Sequence, residues 1–244
     1  ADKQALLGRA AELRAKLDAR YNRAAETSNA DVIPYLRQYG QTDYVFLVND
    51  RREYGQYVGQ HALVMENGLP ADATVAVRRS GGAVYDLVNS RPVAARVVED
   101  RLGFAAALGP CEGGLYMICP EPIAAVRVEV PEQVARGTQA RCTVRIVDAA
   151  DRPLAAVVPV DVQVRDPDGG LAEFSGSYGA ANGQVEIVLD IAVNDPFGIW
   201  QIEVRERASG QAASGCFRVV SPAPWPPAKG PIPADLAKPE QPKG

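Results

Sequence analysis

Carboxylates are the commonest reactive groups in this chain of 244 residues, with 30 Asp and Glu against 26 Lys and Arg. A pair of them can hydrolyse a glycosidic bond when they face each other across a cleft, one as acid and one as base or nucleophile. Asp50, Glu53, Glu66 and Asp86 fall instead in turns or on solvent-facing strand positions, where solvation is the expected role. His61 is the single histidine, so any Ser-His-Asp or Cys-His system must pass through it, and no Gly-x-Ser-x-Gly elbow accompanies it. Asp166, Asp168 and Gly169-Gly170 lack the full twelve-residue calcium-loop pattern and read as a turn. The expectation is therefore no catalytic residue, no metal site and no cofactor.

The densest polar and aromatic cluster is Asn49-Asp-Arg-Arg-Glu-Tyr-Gly-Gln-Tyr-Val-Gly59. Its composition suits a binding loop in which Tyr54 and Tyr57 stack on a sugar ring while Asp50, Arg52 and Glu53 bind hydroxyls. The same residues could equally pack the loop onto the sandwich or onto a neighbouring domain.

Four cysteines, Cys111, Cys119, Cys142 and Cys216, match no zinc or redox spacing. Cys142 shares strand parity with inward Val144 and Ile146, and Cys216 with outward Arg218, so a bridge between them is disfavoured. Cys111 and Cys119 flank a Glu-Gly-Gly turn and could meet, although two small, partly buried thiols are the plainer reading.

The formal net charge of −4 carries no clustered basic footprint, which argues against nucleic-acid binding. No stretch has the roughly 20 apolar residues needed to span a bilayer, and the first residues lack a secretion-signal pattern. The chain starts at Ala1 rather than Met, as a processed protein or a piece of a longer one would.

The elements that must position these groups follow from periodicity. Leu6, Ala10, Leu13, Leu17 and Tyr21 recur at helical spacing, predicting an amphipathic helix over 2–25 that must pack on a sheet, a partner or an absent domain. Asp31 and Pro34 suggest a short helical turn over 31–39 ended by Gly40. From Thr42 the period becomes that of strands, with Tyr44–Val48 first and further candidates at 61–66, 74–79, 83–87, 93–98, 103–108 and 115–119. Pro120-Glu-Pro122 interrupts the series, and a second begins at Ile123, with strands at 126–130, 139–147, 158–165, 184–190, 200–207 and 216–220. In that series Trp200, Ile202 and Val204 alternate with Gln201, Glu203 and Arg205, making Trp200 a core anchor. About seven strands in about 100 residues is the immunoglobulin-like density. Residues 221–244 hold eight of the chain's 19 prolines and are expected to be extended or disordered.

The fold class is thus all-β: two consecutive antiparallel sandwiches, the second immunoglobulin-like. A helical segment (1–41) leads in, the first sandwich covers 42–120, the second covers 123–220, and a Pro-rich tail (221–244) follows. The alternation on each side of the junction is complete on its own, which predicts two separate cores.

Two stretches carry a resemblance. Tyr44-Val-Phe-Leu-Val-Asn49, Val84-Tyr-Asp-Leu87, Arg91-Pro-Val93 and Gly113-Gly-Leu-Tyr-Met-Ile118 resemble the small sandwich that closes many multidomain glycoside hydrolases. Val162-Gln-Val-Arg-Asp-Pro-Asp-Gly169 and Asn194-Asp-Pro-Phe-Gly-Ile-Trp200 resemble strands of the macroglobulin-type immunoglobulin-like domain. The resemblance implies a non-catalytic accessory region of a larger, exported bacterial protein, located outside the cytoplasm or at the cell surface. Carbohydrate or a neighbouring domain of the same polypeptide is the implied partner. The rival expectations are a cell-surface structural or adhesive protein with an immunoglobulin-like assembly module, which an exposed edge strand would favour, and an enzyme with its site in the 49–59 loop.

Overall fold

The computed structural model describes residues 2–54, 58–59, 62–63 and 66–222. A helix, α1 (Asp2–Asp18), opens the chain, and the first sandwich follows it. Its strands are β1 (Ala25–Thr27), β2 (Val32–Tyr39), β3 (Thr42–Asn49), β4 (Arg52–Tyr54), β5 (Val58–Gly59), β6 (Ala62–Leu63), β7 (Glu66–Gly68), β8 (Ala71–Arg78), β9 (Ala83–Asp86), β10 (Arg91–Val93), β11 (Ala95–Val98), β12 (Arg101–Leu108) and β13 (Gly113–Cys119). Sheet order is β1-β8-β12-β11 over β10-β9-β13-β3-β2, while β4-β7 and β5-β6 form two small ribbons between β3 and β8. Val45, Leu47, Val75, Val77, Phe104, Tyr116 and Ile118 fill the space between the two main sheets.

The second sandwich comprises β14 (Ala125–Glu129), β15 (Gln133–Ala135), β16 (Gln139–Val147), β17 (Val157–Arg165), β18 (Gly176–Ala181), β19 (Gln184–Asp190), β20 (Gly198–Glu206) and β21 (Ala212–Val220). Order runs β14-β16-β19-β18-β17-β20-β21-β15, with the β18–β19 hairpin joining the two layers and β15 parallel to β21. This is the immunoglobulin-like arrangement anticipated from strand density. Trp200 is buried, stacks on Phe217 with ring centroids 6.1 Å apart, and donates its Nε1–H to the Pro196 carbonyl at 3.1 Å.

Several expectations change. The segment 31–39 is strand β2, not a helical turn: Val32, Ile33, Tyr35 and Tyr39 favour a pleated surface, and Pro34 is tolerated because β2 is an edge strand. Gly40, at φ 56°, does not end a helix but turns the two-residue β2–β3 hairpin. Helix α1 stops at Asp18, so Tyr21 is not on it, and residues 25–27 become β1. Every side chain from Gln4 to Asp18 is exposed, so among the described residues the Leu6, Leu13 and Leu17 stripe does not pack on a sheet, the first of its three expected alternatives. All four cysteines are free, with Cys119 and Cys142 buried and Cys111 and Cys216 exposed.

The two sandwiches do not keep separate cores. Strand parity sends Tyr116 and Ile118 of β13 into the first core, while Met117 and Cys119 join the apolar cluster of the second, together with Tyr85 and Leu87. The sheet β10-β9-β13-β3-β2 is therefore a middle layer. That double burial explains why Leu115-Tyr-Met-Ile-Cys119 is continuously apolar instead of alternating.

Candidate interaction site

The connection singled out for its polar and aromatic content begins where β3 ends. Asn49 is buried, and its Nδ2 donates to the carbonyls of Leu69 (2.8 Å) and Gly109 (2.7 Å) while its Oδ1 accepts the Arg51 amide (2.9 Å). One amide thus ties both feet of the connection to the neighbouring turn. Leu69 N–H donates to the Arg51 carbonyl at 2.9 Å, and the Asp50 amide donates to the Asp31 carbonyl at 2.8 Å. Above this clamp the chain is a ribbon, with Arg52 opposite Gly68, Glu53 opposite Asn67 and Tyr54 opposite Glu66.

Asp50, Arg52 and Glu53 are exposed, and Arg52 Nη2 lies 3.5 Å from Asp50 Oδ1. By strand parity Glu53 faces away from Arg52. The structure therefore brings Asp50 and Arg52 together and leaves Glu53 on the other face of the ribbon. Tyr57, His61 and the side chains of Tyr54 and Glu66 lie outside the described residues, so the proposed Tyr54 and Tyr57 platform falls there as well.

Beside the foot of the ribbon is an apolar face that sequence reasoning missed. Ile33 pairs with Val48 and Tyr35 with Phe46 across β2 and β3, and these four side chains are 50, 53, 53 and 39% exposed in that order. The Tyr35 and Phe46 rings lie 6.3 Å apart, and the Arg37 guanidinium sits 5.1 Å above Tyr35. The signal is the alternation of Ile33 and Tyr35 with Val32 and Leu36, which a helical reading of 31–39 hides. In register, Leu115 lies next to Phe46 and Met117 next to Tyr44, so the exposed face runs directly into the cluster shared by the two sandwiches.

The buried acids serve the scaffold. Glu206, fully buried, accepts the amides of Ala208, Ser209 and Gln211 and the Ser209 hydroxyl, fixing the β20–β21 turn that meets the first sandwich. Asp86 accepts the amides of Val88 and Asn89 and the Asn89 Nδ2. Asp43 pairs with Arg79 at 2.8 Å, and that guanidinium also donates to the Gly81 and Ile118 carbonyls. The Arg152 amide and side chain hold the Asp148 carboxyl below the usual range. Asp166 accepts the amides of Asp168 and Gly170, the turn read from sequence.

A cleft of about 250 Å³ opens beside Asp86, Arg91, Glu112 and Tyr116. Burial, and then the neighbouring Asp86, push the Tyr116 hydroxyl above its ordinary value, which keeps it a neutral phenol. The Asp86 lone pairs are already occupied by the turn and by Arg91 Nε at 3.4 Å. Among the described residues, no group of three His, Cys, Asp or Glu side chains is placed to hold a metal ion, and no helix is long and apolar enough to cross a membrane.

No family model matches the chain, and no curated relative matches it. Among solved structures it is similar to the Yersinia pseudotuberculosis adhesin InvE, at 12% identity and TM-score 0.31 over 79% of this chain and 60% of that one. It is also similar to a Corynebacterium diphtheriae protein described as membrane anchored, at 10% identity and TM-score 0.32, covering 84% of this chain and 61% of that one. Red sea bream transglutaminase aligns at 11% identity and TM-score 0.27 over 85% of this chain and 33% of its own length. The chain spans about 60% of the length of the first two structures and a third of the last.

Proposed function

We propose that residues 25–222 form a non-catalytic, stiff two-sandwich support within a larger exported or cell-surface bacterial protein. The observation that carries this reading is the shared core. Tyr85, Leu87, Met117 and Cys119 lie in one cluster with Val126, Ile146 and Val158 of the second sandwich. Polar contacts reinforce it: Thr42 Oγ1 donates to the Ala155 carbonyl at 2.8 Å, and the Ile123 amide donates to the Tyr85 hydroxyl at 2.8 Å. At about 1.5–3 kcal/mol for each large buried side chain, such a junction holds the sandwiches in one relative orientation. The saturated buried acids fit a supporting role better than catalysis.

The test is native-state hydrogen exchange with increasing denaturant. In a stiff unit, the slowest amides of β8 and β12 exchange through the same global opening as those of β16 and β20. Exchange of the first sandwich through a separate, lower-energy opening overturns the reading, as does glycoside turnover by the purified chain.

A second reading, an adhesive or assembly module, is favoured by the exposed face of Ile33, Tyr35, Phe46 and Val48. Exposed aromatic rings of this kind also suit stacking on carbohydrate. A glycan array on wild type and Tyr35→Ala/Phe46→Ala checks the carbohydrate branch, for which loss of binding at an unchanged thermal midpoint is expected. Absence of glycan binding by the wild type removes that branch.

A further inference from the structure

We infer that the exposed β2–β3 face is a self-association surface, covered in solution by helix α1 of a second copy of this chain. This rests on the assembly reading above and names its partner. Among the described residues, two apolar surfaces of the chain are left uncovered. The first is the four-residue face on β2 and β3. The second is the helix seam Leu6, Ala10, Leu13 and Leu17, spaced 4-3-4, whose three leucines are exposed. A solitary helix of 17 residues is marginal in water, so its apolar seam calls for a surface.

Charge complements shape. Arg9, Arg14 and Lys16 flank the seam, and Arg9 and Lys16 have no acidic partner among the described residues. Asp31 and Glu112, both exposed, lie at the foot of the face beside Asp50, which is already paired with Arg52, and the Asp50–Asp31 and Asn49–Glu112 backbone bonds hold the three stretches of chain together. A seam whose Arg9 and Lys16 lie along the Asp31 and Glu112 end of the face brings unlike charges together, away from Arg37 over Tyr35 at the other end, whereas pairing two such helices side by side would oppose Arg9 and Arg14.

The reach favours exchange between copies. Arg14 of α1 and Ile33 of β2 line one shallow groove, so the helix leaves the sandwich beside the edge of the face. Its elbow is pinned by Arg23 Nε donating to Asp18 at 2.6 Å and by Arg101 Nη2 donating to Asn22 at 3.2 Å. Held this way, the seam stays clear of its own face. A two-fold axis near Ile33 would place each helix on the partner's face, burying both surfaces twice in one closed interface.

Sedimentation velocity of the 244-residue chain over a range of micromolar concentrations tests this. The expected result is a reversible dimer whose Kd rises about tenfold or more with either Leu13→Asp or Phe46→Asp, because each removes one side of the same contact. Both residues are exposed in the single chain, so thermal midpoints should stay near that of wild type. In a Cys111→Ser/Cys216→Ser background, mixing Leu13→Cys with Phe46→Cys should give a disulfide between different chains. Monomers at every concentration overturn the inference, as does a dimer indifferent to both substitutions. A Leu13→Cys/Phe46→Cys double variant that cross-links only within one chain also overturns it. None of these outcomes bears on the hydrogen-exchange test of stiffness, so the two can fail separately.

Discussion

The Tyr44 hydroxyl donates to the Val157 carbonyl at 2.6 Å and accepts the Val157 amide at 2.8 Å, so one side chain of the first sandwich satisfies both backbone groups of a strand-opening residue in the second. Tyr44→Phe removes both bonds and leaves two partly buried backbone groups unpaired. The expected loss is about 1–3 kcal/mol, read as a lower urea midpoint with an unchanged slope.

Met117 is fully buried on the junction side of β13. Met117→Ala should cost about 2–5 kcal/mol, the range for a buried Met in a well-packed site. Because the cluster is shared, amides of both sandwiches should lose protection together. A loss confined to β8 and β12 would mean that Met117 serves the first sandwich alone.

Trp200→Ala should cost about 3–5 kcal/mol, measured by denaturant unfolding. A change below about 1 kcal/mol, typical of surface positions, would place the indole outside the core.

Burial pushes the Tyr85 hydroxyl up to about 12 from its ordinary 10.0, outweighing the opposing bond to Ile123. With the folded value above the unfolded one, the native state keeps its proton where the unfolded chain has lost it. Stability is therefore fully present below pH 10 and falls as pH rises from 10 through about 12. Urea midpoints across that interval should decline, and Tyr85→Phe should flatten part of the decline while lowering stability at neutral pH through the lost bond to Ile123.

Burial likewise pushes the thiols of Cys119 and Cys142 up to about 11, while Cys111 and Cys216 are exposed. An aromatic disulfide reagent at mildly alkaline pH should label Cys111 and Cys216 promptly and reach Cys119 and Cys142 only after denaturant is added. Mass spectrometry of the labelled peptides distinguishes the two pairs.

How much of this was legible depended on whether a segment had one environment or two. β20 could be read directly: Trp200, Ile202 and Val204 alternate inward, and continuing the same parity puts Glu206 in the core, where the structure buries it. β18, Gly-Ser-Tyr-Gly-Ala-Ala, gave no apolar alternation, because its place comes from pairing with β17 rather than from its own side chains. The expectation of separate cores failed at β13 for a related reason. A run apolar at every position fits a strand in one core as well as a strand between two, and only the packing of Met117 against the second sandwich decides between them. At the candidate site, the exposure of Asp50 and Glu53 was legible, whereas the Tyr35 and Phe46 face required knowing that 32–39 pairs with 42–49.

The parallel pairing of β15 with β21 has a mechanical consequence. The Arg218 amide donates to the Glu132 carbonyl at 3.1 Å and the Arg136 amide to the Val220 carbonyl at 3.0 Å, so this ladder bridges the start of the second sandwich and its last strand. Tension applied between residues 123 and 221 pulls the two strands along their length in opposite directions. The bonds then lie across the load and must give way together, whereas a hairpin pulled at its open end unzips one rung at a time. Under stretching, the second sandwich should resist until this ladder shears and should then yield abruptly.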